Sequence, residues 1–248
     1  MLFKTGGLRT ARSHDEWEHM SEEDIFESLR QQMVAEIAAE VAMLERQLGC
    51  AALSQAVMDA MASVPRHAFV PAEVQPFAYL NSPLPIGHGK TISQPFIVAL
   101  MTDLLEVQRD SVVLEVGTGF GYQAAVLGQL ADQVYSVEII EDIAVQAKKR
   151  LSRLGYVNIN LRMGNGTLGW PEHAPYDRIM VTAAPDLIPP ALLHQLKPGG
   201  RMVIPTGIPD QQQLVLVEKN AQGRISTREI LAVRFSELEQ PTAPAGRG

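Results

Sequence analysis

The chain has 248 residues, a formal net charge of −7 at pH 7, 46% hydrophobic residues and 20% charged residues. These values are ordinary for a globular protein and exclude collagen, a coiled-coil rod and wholesale disorder. The negative charge argues against a nucleic-acid or anionic-membrane partner, because such binding needs a basic face.

Cysteine and histidine usage gives no sign of a metal site. The single cysteine, Cys50, can form neither an internal disulfide nor a cysteine-based zinc site. The six histidines show no metal-ligand spacing, so we expect no metal. Residues 1–20 lack the apolar core of a secretory signal, and no apolar stretch is long enough to span a bilayer. We therefore expect a cytoplasmic protein.

The N-terminal region predicts a long helix behind a flexible extension. Residues 1–20 are polar and aperiodic, which is typical of a loose terminus. Ser21 and Asp24 resemble a capping box. Apolar residues then recur at spacings of four and three as far as Leu48, predicting one helix that ends at Gly49.

The next segment is rich in proline. A second short helix is expected around residues 57–61. Residues 65–95 hold six prolines and read as a structured loop, and long loops in compact domains are often functional. Residues 96–105 predict a helix. We therefore expect residues 21–110 to form N-terminal helices and an active-site loop region.

Beyond residue 110, strands and helices alternate. The predicted strands span residues 112–116, 133–138, 157–163, 178–182, 201–205, 213–218 and 227–235. The predicted helices span residues 121–131, 141–154 and 187–196. This alternation predicts a parallel sheet over residues 111–236, and the last two strands, without a helix between them, predict an antiparallel pair. Residues 237–248 are expected to be a disordered tail.

A glycine-rich loop follows the first strand of this region. Gly117, Gly119 and Gly121 come after Glu115, and glycines there let the backbone turn tightly and approach a ligand. Glu138 ends the next strand, where a carboxylate can accept ribose hydroxyls. The G-x-G-x-G spacing differs from the G-x-G-x-x-G of dinucleotide sites and is typical of S-adenosylmethionine sites in class I methyltransferases. The alternative is a tight turn without a ligand.

The proline-rich segment indicates a specific family. Residues 82–95, SPLPIGHGKTISQP, closely resemble the signature of protein-L-isoaspartate O-methyltransferases. Further matches to that family are found in residues 64–70, 176–185, 196–200 and 233–235. The resemblance covers about residues 40–236.

The resemblance implies a fold and an activity. The fold is a Rossmann-like class I methyltransferase sheet with helices on both faces, an antiparallel strand near the C-terminal end and an N-terminal helical cap. The activity is methyl transfer from S-adenosylmethionine to the free carboxylate of L-isoaspartyl residues in damaged proteins and peptides, which leaves S-adenosylhomocysteine. The methyl ester then collapses to a succinimide, which starts repair. A monomer is favoured.

The resemblance also implies site residues. Ser93 stands at the catalytic serine. The implied cofactor-binding residues are Thr91, Ile92, Glu115, Gly117, Thr118, Gly119, Gly121, Glu138, Asn165, Gly166 and Gln212. The implied substrate-binding residues are Ser93, Thr182, Ala183, Ala184, Pro185, Val233, Arg234 and Phe235.

Ser93 has two possible roles. The accepting carboxylate is already an anion at pH 7 and needs no general base, so the role left for Ser93 is to hold that carboxylate by a hydrogen bond. An attacking serine would need a base beside it, and Gln94 and Pro95 offer none. The competing role is that of N-cap of the helix over residues 96–105, and both roles could hold.

Two single residues and one pair of residues depart from the family pattern. Asn81 and Asn165 stand where the family usually has Asp, and residues 236–237 replace a commoner apolar–Pro pair. Because of these changes, an alternative function remains open: the chain could be a paralogous carboxyl methyltransferase that acts on a different aspartyl or small-acid substrate. A non-catalytic module that binds S-adenosylmethionine is a further alternative, whereas the glycine spacing disfavours an NAD dehydrogenase.

Overall fold

A seven-stranded sheet runs through the centre of the structure, a computed structural model that describes residues 21–240. Together with a separate hairpin, the strands are β1 Leu84–Gly87, β2 Lys90–Ile92, β3 Val112–Val116, β4 Gln133–Glu138, β5 Ile159–Met163, β6 Tyr176–Val181, β7 Leu196–Thr206, β8 Gln212–Lys219 and β9 Ile225–Val233. The large sheet has the order β5-β4-β3-β6-β7-β8-β9. Strands β3 to β7 are parallel, whereas β8 is antiparallel to both neighbours. The predicted α/β fold is confirmed, with the antiparallel strand one place in from the edge.

Helices cover both faces of this sheet. They are α1 Glu22–Met43, α2 Glu45–Leu48, α3 Gln55–Ser63, α4 Pro95–Leu105, α5 Tyr122–Leu130, α6 Glu141–Arg153 and α7 Pro190–Gln195. Val113 and Leu114 on β3 point to opposite faces, because side chains alternate along a strand. Val113 belongs to a core that includes α1 and α3 to α6, and Leu114 belongs to a second core that includes Leu192 of α7. The predicted helices on both faces are therefore present.

The long first helix begins as predicted and breaks near its end. The Ser21 hydroxyl accepts a hydrogen bond from the Asp24 backbone N–H at 3.2 Å, and the Ser21 N–H donates to the Asp24 carboxylate at 3.1 Å. Met33, Ile37 and Val41 are fully buried, and each such burial stabilises the fold by about 1.5–3 kcal/mol. The chain leaves helical geometry between α1 and α2, so the expectation of one continuous helix is wrong there.

The proline-rich segment is more regular than the sequence suggested. It contains two short 3₁₀ helices, Arg66–Phe69 and Ala72–Phe77, and the antiparallel β1–β2 hairpin. The hairpin turn includes His88 in a left-handed conformation with φ 52°. Strands of four and three residues, the first of them interrupted by Pro85, give no alternating pattern, which explains why the sequence predicts only a loop.

Helix α4 is capped by a residue distant in sequence. The helix begins at Pro95 with Gln94 at the N-cap and no capping bond from the Gln94 side chain. Instead, the Phe96 backbone N–H donates to Oδ1 of Asn81 at 3.0 Å. The alternative role of Ser93 as the N-cap is therefore wrong.

Both chain ends lie partly outside the described residues. The predicted extension over residues 1–20 and residues 241–248 of the predicted tail are not described. Residues 237–240, also assigned to the tail, are described, and Glu237 forms a bridge with Ala184 beyond the end of β6. The division into an N-terminal region and a core at residue 110 stays a prediction. Over residues 21–240, no helix is both long and apolar enough to cross a membrane.

Candidate active site

A cavity of about 710 Å³ opens at the carboxyl ends of the parallel strands. Small-molecule sites have volumes of about 300–1,000 Å³ and lie at this edge of open α/β sheets. Its walls come from the loop after β3, the ends of β4, β6 and β9, the β1–β2 hairpin and α1.

Most of the predicted site residues meet at this cavity. The predicted residues that line it are Thr91, Ile92, Ser93, Gly117, Thr118, Gly119, Glu138, Gly166, Thr182, Ala183, Val233, Arg234 and Phe235. The predicted residues that do not line it are Glu115, Gly121, Asn165, Ala184, Pro185 and Gln212. The first group comes from six separate parts of the chain, so the fold brings the predicted set together.

The three glycines of the loop after β3 are needed for different structural reasons. Gly117 has φ +93°, and a Cβ there would collide with the Thr182 hydroxyl. Gly119 has φ +54° and faces the cavity, where a Cβ would find only Ile86 within 4 Å, at 3.5 Å. Gly121 is the N-cap of α5 with φ +98°, and a Cβ would press on Leu151 at 3.2 Å. Gly119 is therefore the glycine whose missing side chain leaves space for a ligand.

The Glu138 carboxylate ties the glycine loop to the end of β4. Its Oε2 accepts the Gly119 N–H at 2.9 Å, and its Oε1 accepts the N–H groups of Ile139 and Ile140 at 2.9 and 3.0 Å. A carboxylate has about four acceptor positions, so roughly one remains for a ligand. Glu138 thus holds the loop and still faces the cavity.

Glu115 lies behind the same loop. Its side chain is fully buried, its carboxyl bonds to the Ser136 hydroxyl, and Ser136 bonds to the Thr118 hydroxyl at 2.6 Å. Burial raises the pKa of Glu115 to about 8, and the nearby Glu138 charge adds to the rise. Glu115 is therefore mostly protonated at neutral pH, and it supports Thr118 from behind rather than facing the cavity.

Ser93 lines the cavity at the end of the β1–β2 hairpin. Within residues 21–240 its side chain makes no hydrogen bond, whereas its carbonyl oxygen accepts one from Nη2 of Arg66 at 2.7 Å. The hydroxyl is therefore available to a ligand. The Ser93 backbone is held in place by the hydrogen bond from Arg66, which is buried in the protein interior.

Asn81 forms a polar junction beside Ser93. Its Nδ2 donates to the Glu40 carboxylate at 2.6 Å, while its Oδ1 accepts the Phe96 N–H. Gln94 also reaches Glu40, at 3.5 Å. An amide side chain can donate and accept at once, which an ionised carboxylate cannot, so asparagine is matched here to the neighbouring Glu40 carboxylate, which lines the cavity.

The side chains of Asn165 and Gln212 form hydrogen bonds with other residues of the protein and do not line the cavity. Oδ1 of Asn165 accepts both the backbone N–H and the hydroxyl of Thr167, at 3.0 and 2.8 Å. The Gln212 amide donates to the Phe235 carbonyl at 3.1 Å and accepts the Phe235 N–H at 2.6 Å. Gln212 therefore fixes a cavity-lining residue from outside the cavity.

The segment after β9 closes the cavity across the end of β6. The Ala184 N–H donates to the Ser236 carbonyl at 2.8 Å, and the Leu238 N–H donates to the Ala184 carbonyl at 2.9 Å. Glu239 pairs with Lys90 of the hairpin at 2.6 Å. This contact was not predicted, because residues 237–248 were expected to form a disordered tail.

Several other cavity residues were also missed. They are Glu40, Ile86, Lys90, Phe120, Ile139, Ile143, Glu237, Leu238 and Glu239. Ile139 could have been found, because it directly follows Glu138 at the end of a strand. Among the described residues, no group of three or more His, Cys, Asp and Glu side chains is arranged to hold a metal ion.

Comparisons with known proteins agree on one family. The family model described as "Protein-L-isoaspartate(D-aspartate) O-methyltransferase (PCMT)" matches residues 38–242. Protein-L-isoaspartate O-methyltransferase 1 of Polaromonas sp. (strain JS666 / ATCC BAA-500) is 62% identical over 220 residues, which cover 89% of this chain and 93% of that protein. Protein-L-isoaspartate O-methyltransferase 2 of Syntrophobacter fumaroxidans is 57% identical over 217 residues, 87% of this chain and 88% of that protein.

Solved structures of similar fold carry the same description. A protein-L-isoaspartate O-methyltransferase superimposes with a TM-score of 0.71 at 29% identity, covering 82% of this chain and 66% of that one. A Plasmodium falciparum protein solved with S-adenosyl-L-homocysteine has a TM-score of 0.67 at 23% identity, covering 82% of this chain and 97% of that one. The second likeness shows the fold alone.

Proposed function

The chain belongs to the protein-L-isoaspartate(D-aspartate) O-methyltransferase family, and on this premise we propose that it methylates the free carboxylate of L-isoaspartyl residues in damaged proteins and peptides. The methyl ester then closes to a succinimide, whose hydrolysis restores some normal aspartate. The observation that carries this proposal is the free Ser93 hydroxyl at the same cavity as Gly119 and Glu138.

The cavity fits S-adenosylmethionine. The space beside Gly119 allows close backbone approach, and the remaining acceptor position of Glu138 suits a ribose hydroxyl. Ile139 and Ile143 line the cavity and would supply an apolar surface for the adenine ring. Thr91, Ile92, Gly117, Thr118 and Gly166 would complete the site, while Glu115, Gly121, Asn165 and Gln212 would act by supporting it. When bound, S-adenosylmethionine supplies an electrophilic methyl group on a positively charged sulfur.

The protein's own contribution is to bind and orient the accepting carboxylate. That carboxylate is already ionised at neutral pH, so no general base is needed. The Ser93 hydroxyl donates a hydrogen bond to it and fixes its direction, and such orientation removes much of the barrier to a transfer between two bound groups.

The surroundings of Ser93 favour the same transfer. Thr182, Ala183, Val233, Arg234 and Phe235 would line the peptide, and Ala184 and Pro185 would hold that wall in place. Because positive and negative charge cancel as the methyl group moves, the transition state is less polar than the reactants. The β1–β2 hairpin and the segment after β9 cover part of the cavity, and shielding the reacting groups from water favours such a step.

The proposal is tested by following a peptide through the repair cycle. A purified isoaspartyl peptide is incubated with the protein and S-adenosylmethionine, and its products are separated by reversed-phase chromatography. We expect succinimide to appear first and the normal aspartyl peptide after it. Methylation of aspartyl peptides or small acids without action on the isoaspartyl peptide would support a paralogous carboxyl methyltransferase. Binding of the cofactor without turnover of any acid would support a non-catalytic module.

We also infer that the enzyme acts as a monomer in the cytoplasm, with neither nucleic acid nor membrane as a partner. The net charge of −7 supports the exclusion of polyanionic partners. The single, half-buried Cys50 is compatible with a reducing compartment. Sedimentation equilibrium at micromolar concentration tests the monomer, and a stable dimer would contradict it.

A further inference from the structure

Arg66 is a fully buried arginine without a carboxylate partner in the described part of the chain. Its side chain is 0% exposed, and no salt bridge between residues of the range 21–240 includes it. Buried charges are normally paired, because removing a cation from water is costly. Burial lowers the pKa of Arg66 to about 10, so the group stays charged at neutral pH. A guanidinium that stays charged at this buried position indicates that Arg66 has a role other than packing.

The guanidinium bridges two points of the backbone. Its Nε donates to the Ala78 carbonyl and its Nη2 donates to the Ser93 carbonyl, both at 2.7 Å. Residues 79–92 between these points include the β1–β2 hairpin that covers the cavity. The planar fork of arginine fixes both acceptors in one geometry, so Arg66 holds the two ends of this segment together.

The same group touches the element that follows the glycine loop. The Arg66 guanidinium carbon lies 4.8 Å from the ring centroid of Tyr122, within the range of a cation–π contact. Tyr122 follows Gly121, begins α5 and lines the cavity. Arg66 therefore sets the position of Ser93 relative to α5, the helix that follows the glycine loop.

We propose that Arg66 is a positioning residue for methyl transfer, whose guanidinium fixes the Ser93 backbone so that the serine hydroxyl meets the isoaspartyl carboxylate. This inference rests on the proposed function. Arg66 does not itself line the cavity, so it acts through Ser93. Among the described residues the Nη1 atom has no hydrogen-bond partner, so the group is oriented by its bonds to the Ser93 and Ala78 carbonyls and by its contact with Tyr122.

A double-mutant cycle tests this role. The variants are Arg66→Lys, Ser93→Ala and the combination, each measured for kcat and KM with an isoaspartyl peptide. Lysine keeps the charge but not the planar fork. We expect Arg66→Lys to lower kcat about tenfold or more and to change S-adenosylhomocysteine affinity less than about threefold. In the Ser93→Ala background the same substitution should change kcat less than twofold, because the hydroxyl it positions is gone.

Controls separate positioning from general support of the fold. Arg30→Lys alters another buried arginine, which contacts the Tyr79 hydroxyl rather than Ser93, and it should leave kcat unchanged. If Arg66→Lys does not fold, Arg66→Gln, which removes the charge and keeps two donors, replaces it in the cycle. Equal losses of kcat in both backgrounds, or failure of both variants to fold, would overturn the role. The rate of the wild-type protein on the isoaspartyl peptide tests the proposed function separately, because only the double-mutant cycle depends on the role of Arg66.

Discussion

Single side chains around the cavity either face it or hold a facing residue from behind. Ser93 and Glu138 face it, whereas Glu115, Gln212 and Arg66 hold Thr118, Phe235 and Ser93 respectively. Sequence motifs identified Ser93, Glu138, Glu115 and Gln212 without separating the two groups, and they did not identify Arg66 as a site residue. A motif records that a residue type is required at a position, and the reason for the requirement depends on contacts across the fold.

Ser93→Ala tests the facing group. Loss of one hydrogen bond to a charged acceptor costs about 1.5–3 kcal/mol, so kcat/KM on an isoaspartyl peptide should fall roughly tenfold to over a hundredfold. Because Ser93 does not cap α4, the free energy of unfolding should change by less than about 0.5 kcal/mol. Calorimetry should show unchanged S-adenosylhomocysteine affinity. Ser63→Ala, whose hydroxyl bonds to the Ala60 carbonyl away from the cavity, is the control, and an equal loss of activity in both variants would refute the role.

Glu115→Gln tests the supporting group through pH. The pKa of Glu115 is raised to about 8 from its ordinary 4.5, so between these values the folded protein binds more protons than the unfolded chain. The free energy of unfolding should therefore fall as pH rises through this window, by up to about 1.4 kcal/mol per pH unit. Glutamine cannot ionise, and its curve should lack this fall.

Urea unfolding at several pH values from 5 to 8 measures the effect. Glu229→Gln removes an exposed carboxylate on β9 and should give a curve parallel to that of the wild type. If the Glu115→Gln curve is also parallel, Glu115 is ionised in the folded protein.

At the level of elements, the sequence predicted the strands and helices that have a clear period. The glycine loop between β3 and α5, and Glu138 at the end of β4, lie where the pattern placed them. The hairpin was missed because both of its strands are short and the first contains Pro85. Residues 196–200 were not assigned to β7 because Pro198, Gly199 and Gly200 suggest a turn, and a register shift there absorbs them into the strand.

Gly119→Val tests the glycine loop as a ligand-binding element. Valine would be strained at φ +54°, and its side chain would extend into the cavity. S-adenosylhomocysteine affinity in calorimetry should fall at least about tenfold. Gly223→Val carries similar strain at φ +78° in the β8–β9 turn, where nothing lies within 4 Å, and should bind normally. Normal binding by the Gly119 variant would remove the loop from the site.

The junction of α1 with α4 gives a second test at this scale. Asn81→Asp would set a carboxylate against Glu40 in place of the donated N–H, which should lower the free energy of unfolding by about 1–3 kcal/mol. Combining it with Glu40→Gln restores a donor and should recover most of the loss. Urea unfolding of the two single variants and the double variant measures the coupling. Additive losses would mean that the two residues do not interact. The contact with Glu40 would then not explain why this chain has asparagine at position 81, where the family usually has aspartate.

For the whole molecule, the fold class follows from the alternation of strands and helices, but the cover over the cavity does not. This cover consists of the hairpin and the segment after β9, which the Lys90–Glu239 pair joins. These contacts join parts of the chain about 150 residues apart, and no local pattern encodes such a pairing. The sequence therefore located the site at the sheet edge without showing what covers it.

The most direct measurement of the central claim is methanol release after methylation of two peptides that differ only in one linkage. One peptide contains an L-isoaspartyl residue and its twin contains normal aspartate at the same position. With S-adenosylmethionine present, the isoaspartyl peptide should release methanol at a rate proportional to enzyme concentration, and the aspartyl twin should stay at background. Equal rates with both peptides, or release from the aspartyl twin alone, would contradict the assignment of this cavity to isoaspartyl repair.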